Sequence, residues 1–118
     1  MASFVPKYAP QANSFNEMLT TCNNSLIDSS QDVDNLSGKI KLDANVEDSL
    51  ALNTIIMTKK ISEEIESKIE NNISLGSNIS SAAKKFDDED YEAFLAEERR
   101  RLALEKARQE AESEGENN

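Results

Sequence analysis

The sequence predicts an all-α protein, an antiparallel hairpin of two helices with a charged C-terminal extension that is either helical or disordered. Three observations favour this fold: apolar residues recur at steps of three and four, Gly and Pro together number only five in 118 residues, and 31% of residues are charged. A β-sandwich or an α/β enzyme requires more turn residues than this chain contains. Ile, Leu, Val and Phe number 26, so we expect a thin core.

The first helix is predicted from about residue 10 to 37. Its apolar or small residues alternate in steps of four and three, which is the stripe of a coiled coil. Pro10 suits the first turn of a helix, and Gly38 suits its end. Gly38 is therefore expected to lie at the turn. The stripe, in which Cys22 is expected to be a small buried hydrophobe, consists of Tyr8, Ala12, Phe15, Leu19, Cys22, Leu26, Ser29, Val33, Leu36 and Ile40.

A turn is predicted over residues 38–45 and a second helix over about 46–90. Asn45 has the chemistry of a helix N-cap, and Asp48 three residues later favours a helix N-terminus. No Pro interrupts the apolar pattern that follows, and only Gly76 weakens it. Two helices joined by a short turn form an antiparallel hairpin, so residues 1–90 are expected to be one helical unit.

The start of the second helix is too apolar for one neighbouring helix to cover. Its apolar residues spread over most of the circumference, and a helix of that kind requires more than one neighbour. The sequence therefore predicts a binding surface, for which a second copy of the chain and a different protein are comparable occupants. The candidate partner-binding residues are Leu52, Ile55, Ile56, Met57 and Ile61.

Residues 91–118 are predicted to be a charged tail, because most of the acidity of the chain lies at its C-terminal end. Residues 87–118 contain twelve acidic and five basic residues, and the formal net charge of the whole chain is −10. Such a composition cannot bury a core of its own. A solvated helix and a segment that is ordered only by a partner are both compatible with it.

Composition also excludes several classes of function. The chain has no His and a single Cys, which removes His-based acid–base catalysis, intramolecular disulfides and Cys-based zinc sites. We therefore expect no enzyme activity, no cofactor and no metal site. The negative charge disfavours nucleic acid and anionic lipid as partners. With no apolar run of 18 residues and no basic-then-apolar N-terminus, we expect a soluble chain with no membrane insertion and no cleaved signal peptide.

Leu36 and Gly38, as candidate turn residues, and an F-x-x-x-D motif at Phe86 to Asp90 together resemble the motifs of small type VII secretion proteins, the W-x-G superfamily. Leu36 and Gly38 lie where that family has its turn tryptophan and glycine. Phe86-Asp87-Asp88-Glu89-Asp90 is an F-x-x-x-D that lies near the family's aromatic export element. Leu in place of Trp and Phe in place of Tyr are closer to one branch, the small helical accessory proteins associated with LXG-type effectors. The likeness covers roughly residues 10–90, and the charged extension departs from it.

The resemblance implies an accessory or targeting factor. Such a protein binds the helical N-terminal domain of an LXG-like effector, in some cases with a second small helical accessory protein, and engages the type VII secretion machinery. It would be cytoplasmic before export and would leave the cell with its partner. Phe86 and Asp90, four residues apart on one helical face, are then the export-signal candidates. The alternative is a cytoplasmic coiled-coil structural or adaptor protein that homodimerises, with Phe86 a core residue and Asp90 part of a solvated face.

Overall fold

The computed structural model describes residues 3–43 and 47–116, which contain two helices. Helix α1 comprises Tyr8–Asp43 and helix α2 comprises Ser49–Glu116. The second is almost twice as long as the first, so the molecule is a rod of 106 Å along its longest axis. The predicted all-α hairpin with a C-terminal extension is confirmed.

Helix α1 continues past the residue at which we expected it to end. Gly38 lies inside the helix, no glycine in the described part of the chain has a positive φ, and a Cβ at Gly38 would meet nothing within 4 Å. An interior glycine costs a helix only about 1 kcal/mol, and the stripe that packs on α2 continues to Ile40. The prediction of Leu36 and Gly38 as turn residues is therefore wrong.

Asp48 begins α2 as its N-cap. Its carboxylate Oδ1 accepts hydrogen bonds from the backbone N–H of Leu50 at 2.8 Å and of Ala51 at 3.4 Å, and its carbonyl accepts from Leu52 N at 2.9 Å. These bonds satisfy donors that the first turn of a helix leaves unpaired. The turn thus lies later than predicted. Asn45, the predicted cap, lies outside the described residues.

Helix α2 continues from the hairpin into the charged extension without a break. We expected the second helix to end near residue 90, whereas the structure keeps α2 helical to Glu116. Short ion pairs one turn apart, Glu97 with Arg100 at 2.9 Å and Glu98 with Arg101 at 3.0 Å, lie along this part. Such pairs support an exposed helix. Of the two alternatives for the extension, the structure has the helical one.

Side-chain hydrogen bonds fix the antiparallel register. Asn16 Nδ2 donates to Ser80 Oγ at 3.1 Å, Asn72 Nδ2 to Asn23 Oδ1 at 2.9 Å, and Ser62 Oγ to Asp34 Oδ1 at 3.0 Å. Residues that are buried or half-buried follow steps of three and four on both helices. These contact rows comprise Ala12, Asn16, Leu19, Asn23, Leu26, Ser30, Val33, Ser37 and Ile40 of α1, and Ala51, Ile55, Thr58, Ser62, Ile65, Ile69, Asn72, Gly76, Ile79 and Ala83 of α2.

The core between the contact rows is thin and partly polar. The buried apolar residues are Ala12, Ala51, Ile65 and Ala83, and no large side chain of the described residues is fully buried. Asn, Ser and Thr occupy many of the remaining row positions, so short polar side chains lie where a coiled coil has Leu or Ile. The hairpin thus buries little apolar surface for its length.

The N-terminal segment, residues 3–7, lies beside α2 at the end of the hairpin where α1 begins. Asp87 of α2, only 7% exposed, accepts hydrogen bonds from the backbone N–H of Lys7, Tyr8 and Ala9 at 3.0, 2.9 and 2.8 Å. Phe4 lies against Tyr91 and Phe94, with ring centroids 5.3 and 5.7 Å apart. Phe4 and the backbone of Lys7 therefore hold the N-terminal segment against α2.

Candidate protein-binding surface

The apolar stripe predicted for α1 is offset from the row that contacts α2. Half of the predicted residues, among them Ala12, Leu19 and Leu26, are in the contact row. Of the other five, all except Tyr8 lie one position before a polar contact residue, as Phe15 precedes Asn16 and Cys22 precedes Asn23. Phe15 and Leu36 are 49% and 50% exposed, and Cys22 is exposed, so its predicted burial is wrong. The hairpin covers only one edge of the stripe.

Helix α2 has a matching exposed row. Ile61, Lys68, Leu75 and Ala82 each precede a contact residue, and in an antiparallel pair such rows of the two helices lie on the same side. Ile61 is 44% exposed and Leu75 is 49% exposed. We call the two rows together, with Phe86 at their end, the apolar face: Tyr8, Phe15, Cys22, Ser29 and Leu36 of α1, and Ile61, Lys68, Leu75, Ala82 and Phe86 of α2.

An open groove forms the apolar face at its N-terminal end. Its sides are Tyr8, Phe15 and Phe86, and its floor consists of alanines and an isoleucine, Ala12, Ala82, Ala83 and Ile79. The Tyr8 and Phe86 rings pack against each other at 5.5 Å between centroids. Small residues on the floor and aromatic residues on the walls shape a groove that can take a side chain or a helix ridge from another molecule.

The middle of the apolar face is polar. The register places Ser29 of α1 opposite Lys68 of α2, and Lys68 is the single charged residue of the two rows. On the turn side, Leu36 and Ile61 form a second apolar patch, which exposed Met57 and Leu50 extend. Two apolar patches therefore flank one positive charge.

The opposite side of the hairpin is mostly polar. Its rows include Asn13, Thr20 and Asp34 of α1 and Lys59, Glu66 and Ser80 of α2, which are exposed. Exposed Ile27 and Ile73 interrupt them near the middle of the hairpin, and exposed Leu52 interrupts them near the turn. Near the open end, Lys84 Nζ lies 2.7 Å from Asp88 Oδ2, and this hydrogen bond raises the pKa of Lys84 above its usual value. The apolar surface is thus concentrated on one side.

The predicted partner-binding residues divide between the two sides and the core. Ile55 belongs to the contact row and is half-buried against α1. Ile61 lies on the apolar face and Met57 flanks it, at 44% and 63% exposed. Leu52 and Ile56 lie toward the other side, at 45% and 46% exposed. The excess of apolar surface at the start of α2 is therefore exposed, but it does not form one patch.

Phe86 and Asp90 lie where α1 begins and α2 extends beyond it. Phe86 is 46% exposed although it packs on Tyr8, and Asp90 is exposed one helical turn further on. Phe86 is thus both a wall of the groove and half accessible. The neighbouring acid of the motif, Asp87, has an entirely different environment, since it is buried in the cap of α1.

Sequence reasoning missed Asp87 and Phe4. A carboxylate on α2 that caps α1 has no local signature, because the donors and the acceptor are about 80 residues apart in the chain. Phe4 stood outside the predicted helices, and the apolar pattern did not include it. The aromatic residues at positions 4, 91 and 94 were the available signal.

Other kinds of site are not evident in the described residues. Residues 3–43 and 47–116 contain no group of acidic residues and Cys arranged to hold a metal ion. Within the same ranges no helix combines the length and the hydropathy needed to cross a bilayer. Comparison with protein-family models, with curated proteins and with solved structures finds no match to this chain.

Proposed function

We propose that this chain is a non-enzymatic accessory factor that binds the helical N-terminal domain of an LXG-like effector and contributes to its export through a type VII system. The observation that carries the proposal is the apolar face. Four of its large side chains, Phe15, Leu36, Ile61 and Leu75, are nearly half exposed. The resemblance of Phe86 and Asp90 to the F-x-x-x-D element supplies the secretion context.

The thin core supports a role in binding. A hairpin that buries mostly alanine has little apolar burial to offset the conformational entropy of ordering 36 residues in α1. A partner that covers the apolar face binds only the folded hairpin and so stabilises it by mass action.

Phe86 and Asp90 would then be recognised by the secretion machinery. An aromatic ring beside a carboxylate, one turn apart on a helix, is a compact feature for recognition. The exposure of both residues at the open end of the hairpin supports this role. No chemistry is required of either residue.

The test is co-expression of the full chain with the N-terminal domain of an LXG-like effector encoded beside it. We expect co-purification and a higher midpoint of thermal unfolding by circular dichroism than for the chain alone. In the producing bacterium, deletion of the chain should leave the effector inside the cell. The proposal would be contradicted if the chain is stable alone, does not co-purify with the effector domain and is not required for export of the effector.

A second candidate is a coiled-coil adaptor that acts as a homodimer. The heptad spacing of the exposed rows favours it, because two apolar faces could pack into a four-helix bundle. Sedimentation equilibrium of the free chain distinguishes the candidates. A stable dimer at micromolar concentration, with no effect of the effector domain, would favour the adaptor.

A further inference from the structure

We infer that the apolar face binds an amphipathic helix or helical hairpin of a different protein, with an acidic side chain of that partner opposite Lys68. The inference rests on the proposed function and identifies the surface and the partner chemistry through which it would act.

The apolar face is large enough for a stable complex. From Tyr8 to Leu36 the α1 row spans about 42 Å at 1.5 Å per residue, and a helix pair is about 20 Å wide. The resulting roughly 800 Å² is what one partner contributes to an interface of standard size. Because residues repeat every seven positions in both rows, the partner that fits is a helix running along the hairpin.

Charge favours a different protein over a second copy. Lys68 lies midway along the apolar face, so a face-to-face two-fold pair of antiparallel hairpins would bring two Lys68 side chains toward each other. A two-fold pair of parallel hairpins would instead place the two acidic extensions, each with twelve acidic and five basic residues over 87–118, side by side. Either pair would also combine two chains of net charge −10, which repel. A partner that covers Lys68 removes water from its ammonium group, and a carboxylate placed there compensates for that loss.

Cys22 provides a probe within the apolar face. It is exposed and is the single cysteine of the chain. In the complex of the full chain with the effector's N-terminal domain, N-ethylmaleimide should alkylate Cys22 at least about tenfold more slowly than in the free chain. The control is Cys22→Ser with Asn24→Cys, because Asn24 is exposed about 160° round α1. Its thiol should react at the same rate in both states.

Lys68→Glu tests the partner's charge. We expect the dissociation constant to rise by about tenfold or more, because a carboxylate would then face a carboxylate. Lys59→Glu, an exposed residue on the opposite side, is the matched control and should leave binding unchanged. A carbodiimide should cross-link Lys68 to an Asp or Glu of the effector domain in the wild-type complex.

The outcomes separate this inference from the proposed function. Failure of the wild-type chain to bind the domain overturns both. Binding with Cys22 still freely alkylated, or binding unaffected by Lys68→Glu, overturns the inferred surface or charge and leaves the function standing. Protection of Cys22 in the free chain that grows with its concentration would assign the apolar face to a second copy and overturn the inference.

Discussion

Asp87 of α2 caps the helix that begins at Tyr8 of α1, 79 residues earlier in the chain. The carboxylate Oδ1 accepts the Tyr8 N–H at 2.9 Å, and the same carboxylate binds the N–H groups on either side. One buried acid thereby satisfies three backbone donors at a helix N-terminus, where a negative charge is also favourable. Asp87 therefore binds the start of α1 to α2 next to Phe86, which positions the two aromatic sides of the groove.

Asp87→Ala should destabilise the hairpin by about 2 kcal/mol, because it removes the acceptor of three part-buried N–H groups at the start of α1. Urea unfolding followed by circular dichroism measures the change. Asp88→Ala, which removes an exposed ion pair with Lys84, is the control and should change stability little. An effect of Asp87→Ala as small as that of Asp88→Ala would show that the Asp87 cap contributes little to stability.

Two of the three helical glycines, Gly38 and Gly76, should respond oppositely to alanine. Gly38→Ala meets open space and should stabilise the chain by about 0.5–1 kcal/mol through helix propensity. A Cβ at Gly76 would overlap Asn16 Oδ1 and lie 3.4 Å from Leu19 Cδ1. Asn16 is held by bonds to Ala12 O and Ser80 Oγ, so Gly76→Ala should destabilise by about 1 kcal/mol or more.

A double-mutant cycle checks the cause of the Gly76 effect. If the clash with Asn16 is responsible, Asn16→Ala should remove most of the cost of Gly76→Ala, and the two changes should not be additive. Thermal unfolding of the four proteins gives the coupling. Additive losses would mean that Gly76 is needed for another reason.

The pattern of the sequence predicts the helices and their pairing, because the heptad steps are local and specify a packed helix side. It does not predict which edge of that side meets the other helix. Phe15 and Leu36 are more hydrophobic than Asn16 and Ser37, yet the polar pair occupies the contact row. Small polar side chains let the two backbones approach closely. These side chains also form hydrogen bonds with each other across the helices, as Asn23 and Asn72 do. Hydrophobicity alone cannot indicate that choice.

Helix ends were harder to predict for a related reason. Gly38 costs a helix little when contacts continue on both sides, so its presence does not end α1. Asp48 was recognised as favourable near a helix start, and the structure makes it the cap. The long-range cap by Asp87 depends on the register of the whole hairpin, which no local pattern contains.

Removal of residues 103–118 should leave the unfolding midpoint of the hairpin unchanged. Residues 99–115 are exposed, so they have few contacts with the hairpin to lose. The extension is stabilised by its own ion pairs, and the one between Arg101 and Glu98 raises the pKa of Arg101. Helical signal at 222 nm should fall on truncation, and in the full chain it should also fall in 1 M salt, which screens exposed pairs. A lower midpoint after truncation would reveal contacts of the extension with the hairpin.

Ile61→Asp and Ile56→Asp separate the two sides of α2. Both residues are nearly half exposed, so each variant should keep its helical content. Because Ile61 lies on the apolar face, its variant should bury an unpaired charge in the complex and weaken binding of the effector domain by at least about 30-fold. The Ile56 variant should bind normally. Loss of binding by the Ile56 variant alone would move the surface to the other side of the hairpin.

Asp90→Asn distinguishes an export signal from a solvated acid. Asp90 is exposed, and asparagine preserves its shape while removing one charge, so stability and effector binding should be unchanged. If the secretion machinery recognises Asp90, the complex should form and accumulate inside the cell.

Phe86→Ala is the companion variant, with an expected loss of stability of about 1–2 kcal/mol, because the ring is half exposed and packs on Tyr8. Immunoblots of cell and culture fractions measure export in both strains. Normal export of the effector by both would mean that the F-x-x-x-D match is coincidental, and the homodimeric adaptor would then be the better account of the apolar face.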